Sequence, residues 1–111
     1  MPTLTTHILD TSTGRPAVGV TVRLETASGD GFTLLAQAVT DPDGRIKSWF
    51  PADVPAGRCR LVFETAAWFA ASGRKTLYPE VVIVLELQEG EPHYHVPLLL
   101  SPFGYSTYRG S

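Results

Sequence analysis

The chain has 111 residues, of which 43% are hydrophobic and 18% charged, with a formal net charge of -2. That length and apolar content suit one hydrophobic core, so residues 1–111 are expected to form a single domain and disorder is excluded. The near-neutral charge offers no footprint for nucleic acid or an anionic membrane. A single cysteine, Cys59, excludes an internal disulfide framework and any multi-cysteine metal site, and it fits a reducing compartment. Met1 to Thr6 has no basic leader pattern, and Arg109-Gly110-Ser111 is not a peroxisomal address. The longest apolar run, Val81 to Leu85, is far short of the roughly 20 residues that span a bilayer. A soluble cytoplasmic protein is the expectation.

The elements read mostly as strands. Near the start, Thr5, His7 and Leu9 share one face, opposite Leu4, Thr6 and Ile8. Val18 to Glu25 alternates apolar and polar residues with the period of a half-buried strand. Ser28-Gly29-Asp30-Gly31 is a turn, and Phe32 to Thr40 a second, less regular strand. Asp41-Pro42-Asp43-Gly44 is a strong turn signal, followed by a strand from Arg45 to Phe50 that Pro51 ends. Arg58 to Glu64 alternates again, with Cys59, Leu61 and Phe63 inward, so Cys59 reads as a small buried hydrophobe. Thr65 to Ser72 is the one helical candidate, with Thr65 as cap and Gly73 as stop. Val81 to Leu87 is rich in β-branched residues and reads as a central strand. Tyr94 to Leu100 is another strand, where Pro97 suggests an edge or a bulge. A last short strand is expected around Tyr105 to Tyr108. The sum is an all-β, two-sheet β-sandwich of about seven or eight short strands with one short helix.

Three histidines are the candidates for chemistry, because imidazole titrates near neutral pH and serves as acid or base. His93 and His95 share one side of their strand, opposite Tyr94, Val96, Leu98 and Leu100. An apolar ladder on the far side turns His95 away from the core. By spacing alone, these imidazoles are either ordinary surface residues or acid–base groups. His93-x-His95 is half of a metal site at most: zinc needs three or four ligands, and no Cys or carboxylate cluster accompanies the pair. No metal and no cofactor are expected. Arg45, leaving the Asp-Pro-Asp-Gly turn, is either a solvated turn arginine or a planar donor fork for a carbonyl-rich ligand. The segment from Ser101 to Ser111 carries Phe103, Tyr105 and Tyr108, a poor composition for disorder, so the tail is expected to pack.

Four segments together resemble a known family. They are Leu4-Thr5-Thr6-His7-Ile8-Leu9-Asp10, Asp43-Gly44-Arg45, Tyr78-Pro79-Glu80-Val81, and Tyr94-His95-Val96-Pro97-Leu98-Leu99-Leu100-Ser101-Pro102 followed by Tyr105-Ser106-Thr107-Tyr108-Arg109-Gly110-Ser111. This order is similar to that of the 5-hydroxyisourate hydrolases, the transthyretin-related enzymes of urate breakdown, and the Tyr-Arg-Gly-Ser ending separates them from hormone-carrying transthyretins. The resemblance runs from Leu4 to Ser111. It implies a transthyretin-like two-sheet sandwich and a homotetramer, a dimer of dimers with sites in a channel between them. It also implies metal-free hydrolysis of a ring amide of 5-hydroxyisourate to 2-oxo-4-hydroxy-4-carboxy-5-ureidoimidazoline. The family's catalytic histidines fall on His7 and His95 and its arginine on Arg45. Its substrate-binding tetrapeptide falls on Tyr108, Arg109, Gly110 and Ser111. Phe103 departs from the family's usual tyrosine. The alternatives are a transthyretin-like carrier of a small ligand without catalysis, and a plain structural sandwich with a free tail.

Overall fold

Alternating burial builds the sandwich strand by strand. In the computed structural model, which describes residues 1–49 and 51–111, β1 (Thr3–Asp10) buries Leu4, Thr6, Ile8 and Asp10 and turns Thr3, Thr5, His7 and Leu9 outward. The buried Thr6 hydroxyl donates to the Val96 carbonyl at 2.6 Å. β1 is flanked by β2 (Arg15–Pro16) on one side and β8 (His93–Ser101) on the other. β9 (Gly104–Thr107) pairs with β8, and the two-residue β5 (Arg45–Ile46) also pairs with β1. The second sheet runs β4 (Gly31–Val39), β3 (Thr21–Ser28), β6 (Gly57–Phe63), β7 (Val81–Leu87).

Between the sheets lies one core that includes Ile8, Val22, Leu24, Leu61, Phe63 and Leu98, all fully buried. Each such side chain contributes about 1.5–3 kcal/mol relative to exposure. Cys59 is fully buried among them, and burial pushes its thiol up to about 11. It is packing material, as its position in the alternation predicts.

The predicted sandwich with one short helix is the observed fold, with adjustments in several elements. Among the described residues there are seven strands of four residues or more and two of only two residues, Arg15–Pro16 having no counterpart in the predicted set. The strand predicted from Val18 begins at Thr21 instead, since Gly19 adopts a positive φ of 83° before it. The strand predicted from Arg45 to Phe50 lasts only to Ile46; Phe50 lies outside the described residues. Trp49 redirects the chain there, for its buried indole N–H donates to the Leu4 carbonyl at 2.8 Å.

The helix α1 (Thr65–Ala71) starts without a side-chain cap. Thr65, predicted to be that cap, instead donates to the Tyr78 carbonyl at 2.8 Å, which ties the helix to the segment leading into β7. β7 is an edge strand rather than a central one. β-Branched density reports a strand that buries one face, not its rank in a sheet. Conversely, the strand with Pro97 is interior, between β1 and β9. Proline is tolerated because β9 pairs only from Leu98 onward, so Pro97 stands where that ladder stops.

Candidate active site

The Asp41-Pro42-Asp43-Gly44 turn delivers Arg45 to β1. The Asp41 carboxylate accepts the backbone N–H groups of Asp43 and Arg45, each at 2.9 Å. Gly44 closes the turn with φ at 73°, and its carbonyl accepts from the Ile8 N–H at 2.8 Å. A Cβ on Gly44 would stand 2.6 Å from the Ile8 carbonyl oxygen. Only glycine lets the turn press this closely on β1. The result is a register in which Arg45 lies opposite His7.

On the other flank of β1, parallel pairing places Thr5 opposite His95. Thr5 Oγ1 lies 2.7 Å from His95 Nδ1, which orients the ring. The chain beyond β9 then returns along β8. The Gly110 N–H donates to the His95 carbonyl at 2.7 Å. A Cβ on Gly110 would lie 2.6 Å from His95 Cδ2, so this glycine makes room for the imidazole.

Charge completes the arrangement. Burial first, and then the Arg45 guanidinium, lower the His7 pKa, against opposing contributions from Asp43 and Asp41. The His95 pKa is lowered by burial, then by Arg45, His7 and His93. Imidazoles shifted this way are neutral at cellular pH and free to accept a proton. Arg45 forms no ion pair among the described residues, so its donors remain available to a ligand.

The predicted site residues therefore divide into two groups. His7, Arg45, His95 and the backbone of Gly110 come together on the outward face of the first sheet. The Arg109 guanidinium does not join them within one chain. It lies 4.5 Å over the ring of Tyr94, on the buried face of β8, and pairs with Glu91 at 3.2 Å. Tyr108 and Arg109 both line a cleft of about 330 Å³ between the β7 edge and β8–β9. Ser111 is exposed. No group of three His, Cys, Asp or Glu residues able to hold a metal occurs among the described residues. Thr5 is a contact residue that the sequence reading did not single out, and its only signal there was the face it shares with His7.

A family model described as the HIUase/Transthyretin family matches residues 4–110. The chain belongs to this family. Within it, the chain is 47% identical over 109 residues to a 5-hydroxyisourate hydrolase of Salmonella dublin, covering 97% of this chain and 80% of that one. The solved 5-hydroxyisourate hydrolase of Klebsiella pneumoniae superposes with a TM-score of 0.86 at 49% identity, covering 98% of this chain and 99% of that one. Sea bream transthyretin in complex with thyroxine gives the same TM-score of 0.86 at 34% identity, over 96% and 93% of the two chains. The fold is thus shared with both kinds of family member, while sequence identity is higher to the hydrolases.

Proposed function

We propose that this chain is a hydroxyisourate hydrolase, a hydrolase of cyclic-amide C–N bonds that opens 5-hydroxyisourate to 2-oxo-4-hydroxy-4-carboxy-5-ureidoimidazoline in urate degradation. The observation that carries this reading is the meeting on one sheet face of His7 and His95, both with lowered pKa, and Arg45, which forms no ion pair among the described residues. High identity to named hydrolases over nearly the whole length supports it. A carrier that only holds a ligand has no use for a neutral histidine pair. No metal or other cofactor enters the mechanism.

One imidazole takes a proton from water as the water oxygen attacks the ring carbonyl. The oxyanion that forms is met by Arg45, whose N–H donors also hold a flat, carbonyl-rich heterocycle in one orientation. The C–N bond then breaks, and the same proton returns to the departing ring nitrogen. We assign the base to His7 or His95, with the other orienting water or substrate. Proton transfer of this kind contributes about 10²–10⁴-fold.

We further propose a cytoplasmic homotetramer, a dimer of dimers, built from residues 1–111 as one unit. The assembly is supported by two of the four sheet edges, β7 and β9, with Val84, Tyr105 and Tyr108 exposed beside them. In that assembly the tetrapeptide from Tyr108 to Ser111 contributes to substrate binding. Light scattering is expected to give about four times 12.0 kDa. The decisive assay follows the ultraviolet absorbance of freshly generated 5-hydroxyisourate. His7→Ala, Arg45→Ala and His95→Ala are each expected to slow its enzymatic loss at least about tenfold with the fold intact. Full activity in all three variants would overturn the assignment.

A further inference from the structure

Three close polar contacts run in line across the outward face of β1 and β8, and the chemistry above uses only the last group of the line. Thr3 Oγ1 lies 2.6 Å from His93 Nδ1, His93 Nε2 lies 3.1 Å from Thr5 Oγ1, and Thr5 Oγ1 lies 2.7 Å from His95 Nδ1. The parallel register produces the line, with Thr3 opposite His93 and Thr5 opposite His95. Both ring nitrogens of His93 are engaged, and Thr5 bridges the two imidazoles.

A hydroxyl has one proton to give and a neutral imidazole has one N–H, so the line has a direction. At its outer end the Pro92 carbonyl, which can only accept, stands 3.4 Å from Thr3 Oγ1. With Thr3 donating there, His93 Nδ1–H donates to Thr3, Thr5 donates to His93 Nε2, and His95 Nδ1–H donates to Thr5. His95 Nε2 is then bare, the form a base requires. The opposite direction leaves a proton on Nε2, the form an acid requires.

We propose that Thr5 and His93 are a proton relay behind His95, an inference that rests on the hydrolytic reading above and takes His95, of the two imidazoles named there, as the base. His95 Nε2 takes the proton from the attacking water. Its Nδ1–H passes to Thr5 Oγ1 while the Thr5 proton passes to His93 Nε2, and the positive charge comes to rest on His93. The same transfers run backwards, and His95 Nε2–H protonates the departing ring nitrogen. One proton enters and one leaves, with no other reactant. The electrostatic reason is direct. A cation on His95 faces Arg45 of β5 and His7 of β1, as well as His93 on its own strand; Gly110, packed from the tail, brings no charge. His93 lies two residues, about 7 Å, further along the strand and is exposed to screening water.

The test uses Thr5→Val, His93→Ala and the hydroxyl-retaining Thr5→Ser. Thr5→Val and His93→Ala are expected to lower kcat about tenfold with KM within about twofold, and Thr5→Ser to restore most of the loss. His93→Ala is also expected to move the acid limb of kcat/KM to higher pH, because a neighbour that disfavours the His95 cation is gone. Nitrogen NMR of the resting protein is expected to show His95 protonated at Nδ1 in wild type and redistributed in Thr5→Val. Unchanged kcat and tautomer in Thr5→Val would overturn the relay and leave the hydrolase reading standing. If Thr5→Val fails to fold, unchanged kcat in His93→Ala overturns it. A wild type that does not turn over 5-hydroxyisourate would instead overturn the hydrolase reading, and with it the relay.

Discussion

Arg23 and Arg60 on the outward face of the second sheet are held in the opposite way to Arg45 on that of the first. On the second sheet, Glu25 lies between two guanidinium groups, accepting from Arg23 Nε at 3.2 Å and from Arg60 Nε at 2.6 Å. Glu64 also pairs with Arg23, and Arg60 stacks over the Phe32 ring at 4.2 Å. Around Glu25 the charge is matched, and little of Arg23 or Arg60 is left for a ligand. On the first sheet, Arg45 lies beside His7 and His95, and the Asp41 carboxylate near it is taken up by the backbone N–H groups of the turn. The difference lies in what is kept away from a guanidinium, whose donors stay open where no carboxylate takes them. Pairing turns the same side chain into a modest brace.

Three substitutions sharpen this contrast. The largest effect is expected at Gly110→Ala. Its methyl would collide with His95 Cδ2 at 2.6 Å, and displacing the imidazole by about 1 Å is expected to cost roughly 10²-fold in kcat/KM, read in the substrate-decay assay. Little change in melting temperature should accompany it, since Gly110 is not at a positive φ. Next is Gly44→Ala, which forces a side chain into φ of 73° against the rigid Ile8 carbonyl. A stability loss of roughly 3 kcal/mol and a melting temperature lower by many degrees are expected, with activity falling as Arg45 moves. The smallest is Glu25→Gln on the paired face. Hydrogen bonds from Arg60, then from Arg23, hold the Glu25 carboxyl below the usual range against the opposing effect of burial. A depressed carboxylate stabilises the fold above its unfolded pKa, and that contribution is lost as pH falls through the folded value. Chemical denaturation is thus expected to show Glu25→Gln weaker by about 1 kcal/mol at neutral pH, the gap closing in acid, with catalysis unchanged. Lost activity in this variant would break the division between the two faces.

Much of this was legible in the residues because half-buried strands advertise themselves. The alternation of β6 carried its inward set directly, the two faces of β1 were separated by the same period, and the apolar ladder of β8 turned His95 away from the core. The Asp-Pro-Asp-Gly turn was equally plain, since its backbone requires glycine. What local pattern does not encode is who lies beside whom. Nothing in Val81 to Leu87 says edge, and Pro97 argued for an edge that the short reach of β9 made unnecessary. Thr65 looked like a cap, yet its hydroxyl found a carbonyl thirteen residues away. The meeting of Thr5 with His95 depends on parallel register across 90 residues, which no period reveals. The Arg109 guanidinium, expected near the histidines, is drawn instead to the Tyr94 ring and Glu91.

That parallel seam has a consequence for how the protein comes into being. One imidazole is synthesised among the first residues and its counterpart only near the last, with the entire second sheet made in between. A nascent chain emerging from the ribosome holds every strand of that second sheet before β8 has been made. His7 and His95 meet only when β8 docks beside β1, so on the catalytic reading proposed above enzymatic competence waits for that late docking rather than any earlier stage of the molecule's birth.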